Sequence, residues 1–87
     1  MTPAYLQLLQ RPEWKIKRNA ILRRDSFRCR NCQGTNGLQV HHRQYHRFKA
    51  TGMFKQPWNY DNRLLITLCR ECHQIGHQSY SIPVKSV

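Results

Sequence analysis

LCRECHQIGH, residues 68 to 77, places two cysteines, Cys69 and Cys72, and two histidines within ten positions. Cys29 and Cys32 form a second Cys-x-x-Cys pair upstream. Each pair can present two thiolates from one tight turn, here called a knuckle, and two knuckles complete the tetrahedron of a structural zinc. The spacing therefore predicts a Cys₄ zinc site that joins the chain before the first strand to the start of the last helix.

The histidines exceed what one structural zinc can use. His73 and His77 are four positions apart, so on a helix they share a face. His41, at the end of a predicted strand, can supply a third ligand. Three protein ligands leave positions for water and substrate, which is typical of a catalytic metal site.

A competing partition of the ligands is a Cys₂His₂ site. Its members are Cys29, Cys32, His73 and His77. It would leave one well-formed knuckle idle and would give no role to the adjacent histidines at 41 and 42. The sequence therefore favours two separate sites, one of thiolates and one of imidazoles.

The composition limits the classes of protein that fit. Fifteen Lys and Arg against four Asp and Glu give 87 residues a net charge of +11, which suits a polyanion such as DNA. A merely basic or ribosome-associated protein is the alternative that charge does not exclude. No stretch has the length of a membrane span or the core of a signal peptide. We therefore expect no membrane partner, a cytoplasmic location, and cysteines that bind metal rather than form disulfides.

The pattern along the chain predicts one α+β domain over residues 1–87. Residues 1–26 form N-terminal helices, residues 27–80 carry the zinc knuckles and the core, and residues 81–87 are a loose tail. In chain order the predicted elements are helices over 2–10 and 12–25, a strand over 38–42, a basic and aromatic connection over 43–60, a strand over 63–69 and a helix over 70–80. A core this small needs a metal to hold it together.

Two side-chain faces are predicted within these elements. Trp14, Ile21 and Leu22 fall on one stripe of the second helix, together with Arg18. The residues expected on one face of the second strand are Leu64, Ile66 and Leu68.

The runs FRCRNC, LQVHHRQY and PWNYDNRLLITLCRECHQIGH together resemble the HNH endonuclease family, in its members with a Cys₄ zinc frame around a ββα-metal core. The resemblance spans residues 14–77 and includes both knuckles, the His-His pair and the final His. It implies a metal-dependent DNA endonuclease that hydrolyses phosphodiester bonds and leaves a 5′-phosphate and a 3′-hydroxyl. A single active site would nick one strand per encounter.

The resemblance also implies roles for the histidines. Carried over by position, His41, His73 and His77 hold a divalent ion and His42 is the general base that activates water. A neutral imidazole can accept a proton near physiological pH. Three imidazoles accept Mn²⁺, Ni²⁺ or Zn²⁺ readily and Mg²⁺ poorly, although related enzymes commonly use Mg²⁺ or Mn²⁺.

The chain departs from the family at the asparagine position of the His-Asn-His motif. The family places an Asn directly before the Leu-x-x-Leu-Cys run, where it orients the base histidine. Leu64 holds that place here and cannot make the hydrogen bond. Asn62, two residues earlier, is the candidate for the role, and Asn59 is the alternative.

The connection after the histidine pair predicts a DNA-contacting surface. Its basic residues are Arg43, Arg47, Lys49 and Lys55. They alternate with aromatic residues, so the loop can hold the phosphate backbone while an aromatic ring stacks or wedges.

Other functions remain open at this point. A non-catalytic zinc module that binds nucleic acid explains the knuckles and the charge but gives the four histidines no joint role. A third possibility is a nuclease-like subunit that acts within a larger nuclease or packaging complex. The chain's size would suit a phage-encoded HNH protein, acting as a monomer or a homodimer.

Overall fold

The structure is a computed structural model that describes residues 3–79 and 81–87, with side chains at 3–76 and 81–87. The helices are α1 (Pro3–Leu8), α2 (Pro12–Arg24) and α3 (Arg70–Ser79), and the strands are β1 (Gln39–His42), β2 (Tyr45–Arg47), β3 (Leu65–Leu68) and β4 (Val84–Ser86). One 3₁₀ turn, Asn62–Leu64, leads into β3. The fold is thus a small α+β arrangement with helices at its N-terminal end, as the sequence predicts.

Both N-terminal helices begin at a proline. Pro3 and Pro12 occupy the first helical positions, where the missing N–H costs no hydrogen bond. Arg23 and Arg24 lie in the last turn of α2, where positive charge complements the helix dipole. None of the helices in residues 3–79 has the length and apolarity needed to cross a membrane.

The strands β1 and β3 pair in antiparallel fashion, and their register brings the histidine pair to one end of the sheet. Gln39 lies opposite Leu68 and His42 lies opposite Leu65. The buried positions of β3 are Leu65 and Thr67.

The predicted face, Leu64, Ile66 and Leu68, is the half-buried side of this run, whereas Leu65 and Thr67 on the opposite side are buried. The run is apolar at nearly every position, so its alternation could not decide which face turns toward α2.

The core forms where α2 packs against β1 and β3. Its buried members are Trp14, Ile21, Tyr60 and Leu65, and Trp58 packs against their edge. The predicted stripe of α2 is confirmed at Trp14, Ile21 and Leu22, which are buried. Arg18, on the same helix, is exposed.

The C-terminal residues form a strand rather than a loose tail, so that prediction is wrong. Residues 84–86 pair in parallel with β2, with Tyr45 opposite Val84. Backbone hydrogen bonds carry the pairing: the Tyr45 N–H donates to the Pro83 carbonyl at 2.9 Å, and the Val87 N–H donates to the Arg47 carbonyl at 2.9 Å. Every β4 side chain is exposed, so no apolar alternation could have revealed this strand.

A buried carboxylate joins the end of α2 to β3. The Asp25 side chain is fully buried and accepts hydrogen bonds from Arg24 Nε at 2.8 Å, from Arg30 Nη1 at 2.9 Å and from the Thr67 backbone N–H at 3.0 Å. Burial alone would raise the pKa of Asp25, but these hydrogen bonds outweigh it and hold the pKa well below its usual range. The sequence analysis did not single out this residue.

Replacing Asp25 by Asn should lower the free energy of unfolding by about 3 kcal/mol, because Arg24 and Arg30 lose their negative partner and one of its two acceptor oxygens becomes an NH₂ donor. The cost lies at the lower end for a buried ion pair, since the Arg24 and Arg30 side chains are 33% and 53% exposed and can rehydrate. Denaturant unfolding of wild type and variant at several pH values measures the difference.

That difference should stay constant above about pH 5 and shrink as the pH falls through about 4, where an unfolded Asp begins to take up a proton. Protonation of the cysteine thiolates at low pH affects wild type and variant alike, so it cancels from the difference between their unfolding free energies. A difference that does not depend on pH would contradict the lowered pKa of Asp25.

Candidate metal centre and histidine cleft

The two knuckles bring four thiols together. The sulfur atoms of Cys29, Cys32, Cys69 and Cys72 all lie within 4.8 Å of one another. Cys32 Sγ and Cys69 Sγ are 3.7 Å apart, close to the ~3.8 Å edge of a tetrahedron with Zn–S bonds of ~2.3 Å. A disulfide would need about 2.05 Å. The donor set therefore fits a structural Zn²⁺, and the Cys₂His₂ partition fails because it leaves the second knuckle unused.

Backbone N–H groups surround the sulfur atoms, as a site for thiolates requires. The amides of Asn31, Gly34 and Cys72 donate to the sulfurs of Cys29, Cys32 and Cys69, each at 3.4 Å. At Gly34, a Cβ would come within 3.2 Å of the Cys32 sulfur, so the glycine allows the close approach. Each knuckle is thus shaped to receive negative charge on sulfur.

The pKa values of the Cys29 and Cys72 thiols move in opposite directions. Burial would raise the pKa of Cys29, but backbone amides outweigh it and lower the pKa to about 6. The Asn31 amide would lower the pKa of Cys72, but the neighbouring thiols outweigh it and raise the pKa to about 12. A divalent cation removes this conflict, because it is attracted to all four thiolates at once.

Replacing Cys72 by Ser should abolish bound zinc and the cooperative unfolding transition, because zinc-binding energy in such a site is folding energy. Metal analysis and thermal unfolding measure both effects. Asn31→Ala is the matched control: it removes the 3.4 Å hydrogen bond from Asn31 Nδ2 to Cys72 Sγ but no ligand. A Cys72→Ser protein with the wild-type zinc content and melting curve would overturn the assignment.

Two of the predicted ion-binding histidines meet across elements. His41 of β1 and His73 of α3 have ring centroids 4.9 Å apart at an interplanar angle of 70°. Two imidazoles on one ion, with metal–nitrogen bonds of about 2.1 Å, place their centroids roughly 4.5–5.3 Å apart. The pair therefore has the spacing of joint ligands. The side chain of His77 lies outside the described residues, so its role as third ligand stays a prediction.

His42 lies in an aromatic cage. Its ring stacks between Trp14 and Tyr45, with centroids 5.2 Å and 5.3 Å away, and meets the edge of Tyr60. His42 Nε2 is 3.0 Å from the Pro57 carbonyl oxygen. Because a carbonyl only accepts, Nε2 carries the proton and Nδ1 keeps its lone pair. Burial lowers the pKa of His42, and the hydrogen bond to Pro57 opposes this only in part.

The three histidines line one cleft of about 450 Å³ between α2 and the sheet. Its other walls include Trp14 and the exposed side chain of Arg18. Arg18 is a potential functional residue that the sequence analysis assigned only to a helix stripe. The sequence does contain a signal for this position. Arg18 follows Trp14 by four residues on one helix, and positions i and i+4 share a face, so a cation there lies beside the buried tryptophan.

Asn62 has partners other than His42. Its Oδ1 accepts a hydrogen bond from Lys17 Nζ at 2.5 Å, and its carbonyl accepts one from Arg24 at 2.6 Å. Asn59, the alternative, is exposed. The group that holds the His42 ring is the Pro57 carbonyl, and a backbone group of this kind leaves no mark in a residue motif. That either asparagine orients the base stays a prediction.

The predicted DNA-contacting residues differ in their surroundings. Arg43, Arg47 and Lys49 are exposed. Lys55 is half-buried, and its Nζ lies 5.6 Å from the centroid of the Tyr60 ring, at cation–π distance. Exposure thus leaves three of the four residues accessible to a phosphate, whereas Lys55 already contacts the core.

Comparison of the chain with protein-family models, curated proteins and solved structures found no match. What can be said of its function therefore rests on its own residues and their arrangement.

Proposed function

We propose that the protein is a metal-dependent DNA endonuclease of the HNH type, built on a Cys₄ zinc frame. The observation that carries the proposal is the meeting of His41 and His73 at the spacing of joint metal ligands, in the same cleft as His42. The net charge of +11 favours a nucleic acid as substrate.

In this proposal each cleft residue has a distinct task. His41 and His73, with His77, would hold a divalent ion, and such an ion would supply positive charge for the phosphoryl oxygens and the leaving 3′ oxygen. His42 Nδ1 accepts a proton from the attacking water while the Pro57 carbonyl and the aromatic cage fix the ring. Arg18 adds positive charge at the cleft. The water oxygen bonds to phosphorus as the P–O3′ bond breaks, and the 3′ oxygen takes a proton from solvent, which leaves a 5′-phosphate and a 3′-hydroxyl.

The burial of His42 favours a second candidate function. At 4% exposure, with a carbonyl partner and stacked rings, His42 also suits a purely structural role. The protein would then be a zinc module that binds nucleic acid without cutting it, alone or as a subunit of a larger nuclease or packaging complex. Cleavage assays with cleft variants separate the two.

Purified protein with Mn²⁺ should convert supercoiled plasmid to open circles before linear DNA appears, because one active site cuts one strand per encounter. Gel electrophoresis follows the forms with time, and EDTA in a parallel reaction should stop cleavage. Immediate linearisation at low enzyme concentration would indicate a dimer with two opposed sites. Intact plasmid at every Mn²⁺ concentration would favour the non-catalytic module.

His42→Gln and His73→Ala should fail in different ways. In His42→Gln the new amide can still donate to the Pro57 carbonyl but cannot act as a base, so turnover should fall by roughly 10² to 10⁴ with unchanged dependence on Mn²⁺. His73→Ala should instead weaken ion binding, so raised Mn²⁺ should restore part of the activity. Initial rates over a Mn²⁺ titration, well below the melting temperature, distinguish the two patterns.

His46→Ala is the matched control for these variants, because His46 is a half-buried histidine of β2 whose ring bonds to Gln44. It should keep nearly wild-type rates at every Mn²⁺ concentration. Wild-type cleavage by His42→Gln, or partial rescue of both variants by Mn²⁺, would contradict the assigned roles.

A further inference from the structure

Four arginines line one pocket at the end of the β1–β3 sheet where His42 lies opposite Leu65. They are Arg24, Arg30, Arg43 and Arg63, which surround about 290 Å³ of space together with Leu65 and Ile66. The four come from α2, the first knuckle, the end of β1 and the 3₁₀ turn, so the fold gathers them from distant parts of the chain. The sequence analysis predicted a DNA contact for Arg43 alone among them.

Two of these arginines are fixed in place. Arg24 donates to both oxygens of Asp25 at 2.8 and 2.9 Å and to the carbonyls of Asn62 and Leu65 at 2.6 and 2.7 Å. Arg30 donates from Nη1 to Asp25 at 2.9 Å, while half of its side chain stays exposed. The Asp25 carboxylate lies fully buried beneath them, so the pocket presents cations to solvent.

The other two arginines are available to a ligand. Arg43 is anchored only by its backbone, whose N–H donates to the Leu64 carbonyl at 2.7 Å. In the described part of the chain its guanidinium makes no hydrogen bond or ion pair. Arg63 is 83% exposed, and its Nε lies 3.7 Å from Asp61 Oδ1, too far for a hydrogen bond.

Four like charges around one concavity repel each other unless an anion enters. Asp25 is shared by two of them and Asp61 lies 3.7 Å from the fourth, so two carboxylates face four guanidinium groups and the local charge remains positive. Guanidinium groups match phosphate oxygens in shape and bind them through two parallel hydrogen bonds. Arg24 and Arg30 are already ordered, which lowers the entropic cost of binding.

We propose that this arginine pocket binds a backbone phosphate of nucleic acid and positions the strand relative to the histidine cleft. Arg43 connects the arginine pocket to the histidine cleft, because it also lines a neighbouring pocket together with His41, and His41 lines the cleft. A phosphate held here directs the strand toward His41. The choice of nucleic acid as ligand rests on the proposed function, whereas the pocket itself rests on the arginines.

The double variant Arg43→Gln/Arg63→Gln tests the pocket without removing the buried Asp25 pairs. Its affinity for short labelled duplex DNA, measured by fluorescence anisotropy without added divalent ion, should fall about tenfold. The log–log dependence of affinity on salt should lose about 1 in slope per phosphate contact removed. The matched control is Arg23→Gln/Arg28→Gln, which removes the same charge from exposed arginines outside the pocket and should lower affinity less than threefold.

An equal loss of affinity in the two double variants would overturn the proposal, because binding would then depend only on net charge. A second measurement distinguishes the phosphate source: titration with inorganic phosphate, followed through the NMR signals of arginine Nε–H groups. Saturation of the pocket by inorganic phosphate, with no loss of DNA affinity in Arg43→Gln/Arg63→Gln, would also overturn it. Because the readout is binding, failure of every variant to cut DNA would count against the nuclease and not against the pocket.

Discussion

Convergence of four thiolates on one point is the constraint on which the other elements depend. The first knuckle follows α2, the second directly precedes α3, and their sulfurs lie within 4.8 Å of one another. Bringing the two knuckles together closes the loop between Cys32 and Cys69, which costs conformational entropy. A core of a few residues provides little free energy to offset that cost, and metal binding provides more. Since α3 begins at Arg70, directly after Cys69, the cluster also fixes the helix that carries His73. The second knuckle therefore sets the position of His73.

Asp25 provides a second connection between the same parts of the chain, independent of metal. Its carboxylate accepts from the Thr67 N–H, and the Arg30 N–H donates to the Thr67 carbonyl at 2.9 Å, so both polar backbone groups of Thr67 are satisfied across elements. This pairing locks the first knuckle onto β3. A buried ion pair adds little net stability over apolar packing but strongly disfavours alternative registers that leave the charge unpaired. We interpret Asp25 as a determinant of register more than of stability.

The sequence predicted correctly those features that depend on residue types at a short, regular spacing along the chain. Proline starts and a Trp–Ile–Leu stripe indicated α2, and Cys-x-x-Cys spacing indicated the thiol cluster, which the structure brings together. The strand β4 could not be predicted, because its pairing with β2 uses backbone groups and leaves no apolar pattern. The sequence did not show which face of β3 is buried, because a run that is apolar at nearly every position contains no clear alternation and because Thr67 is buried through its backbone partners. Asp25 and the Pro57 carbonyl act through tertiary contacts that no motif records.

A single helix connects the candidate cleft to the arginine pocket. Along α2, Trp14 stacks on His42, Arg18 lines the cleft, Ile21 fills the core and Arg24 reaches the arginine pocket. Arg18 and Arg24 are six residues apart, a rise of about 9 Å at 1.5 Å per residue. At roughly 3.4 Å of axial rise per nucleotide of one strand, that distance corresponds to two or three nucleotides. Because α2 is rigid and its inner face is buried, a strand held by the arginines would be in fixed register with the histidines. In the nuclease that we propose, positioning of this kind would matter, since a misplaced phosphate loses the in-line approach of water.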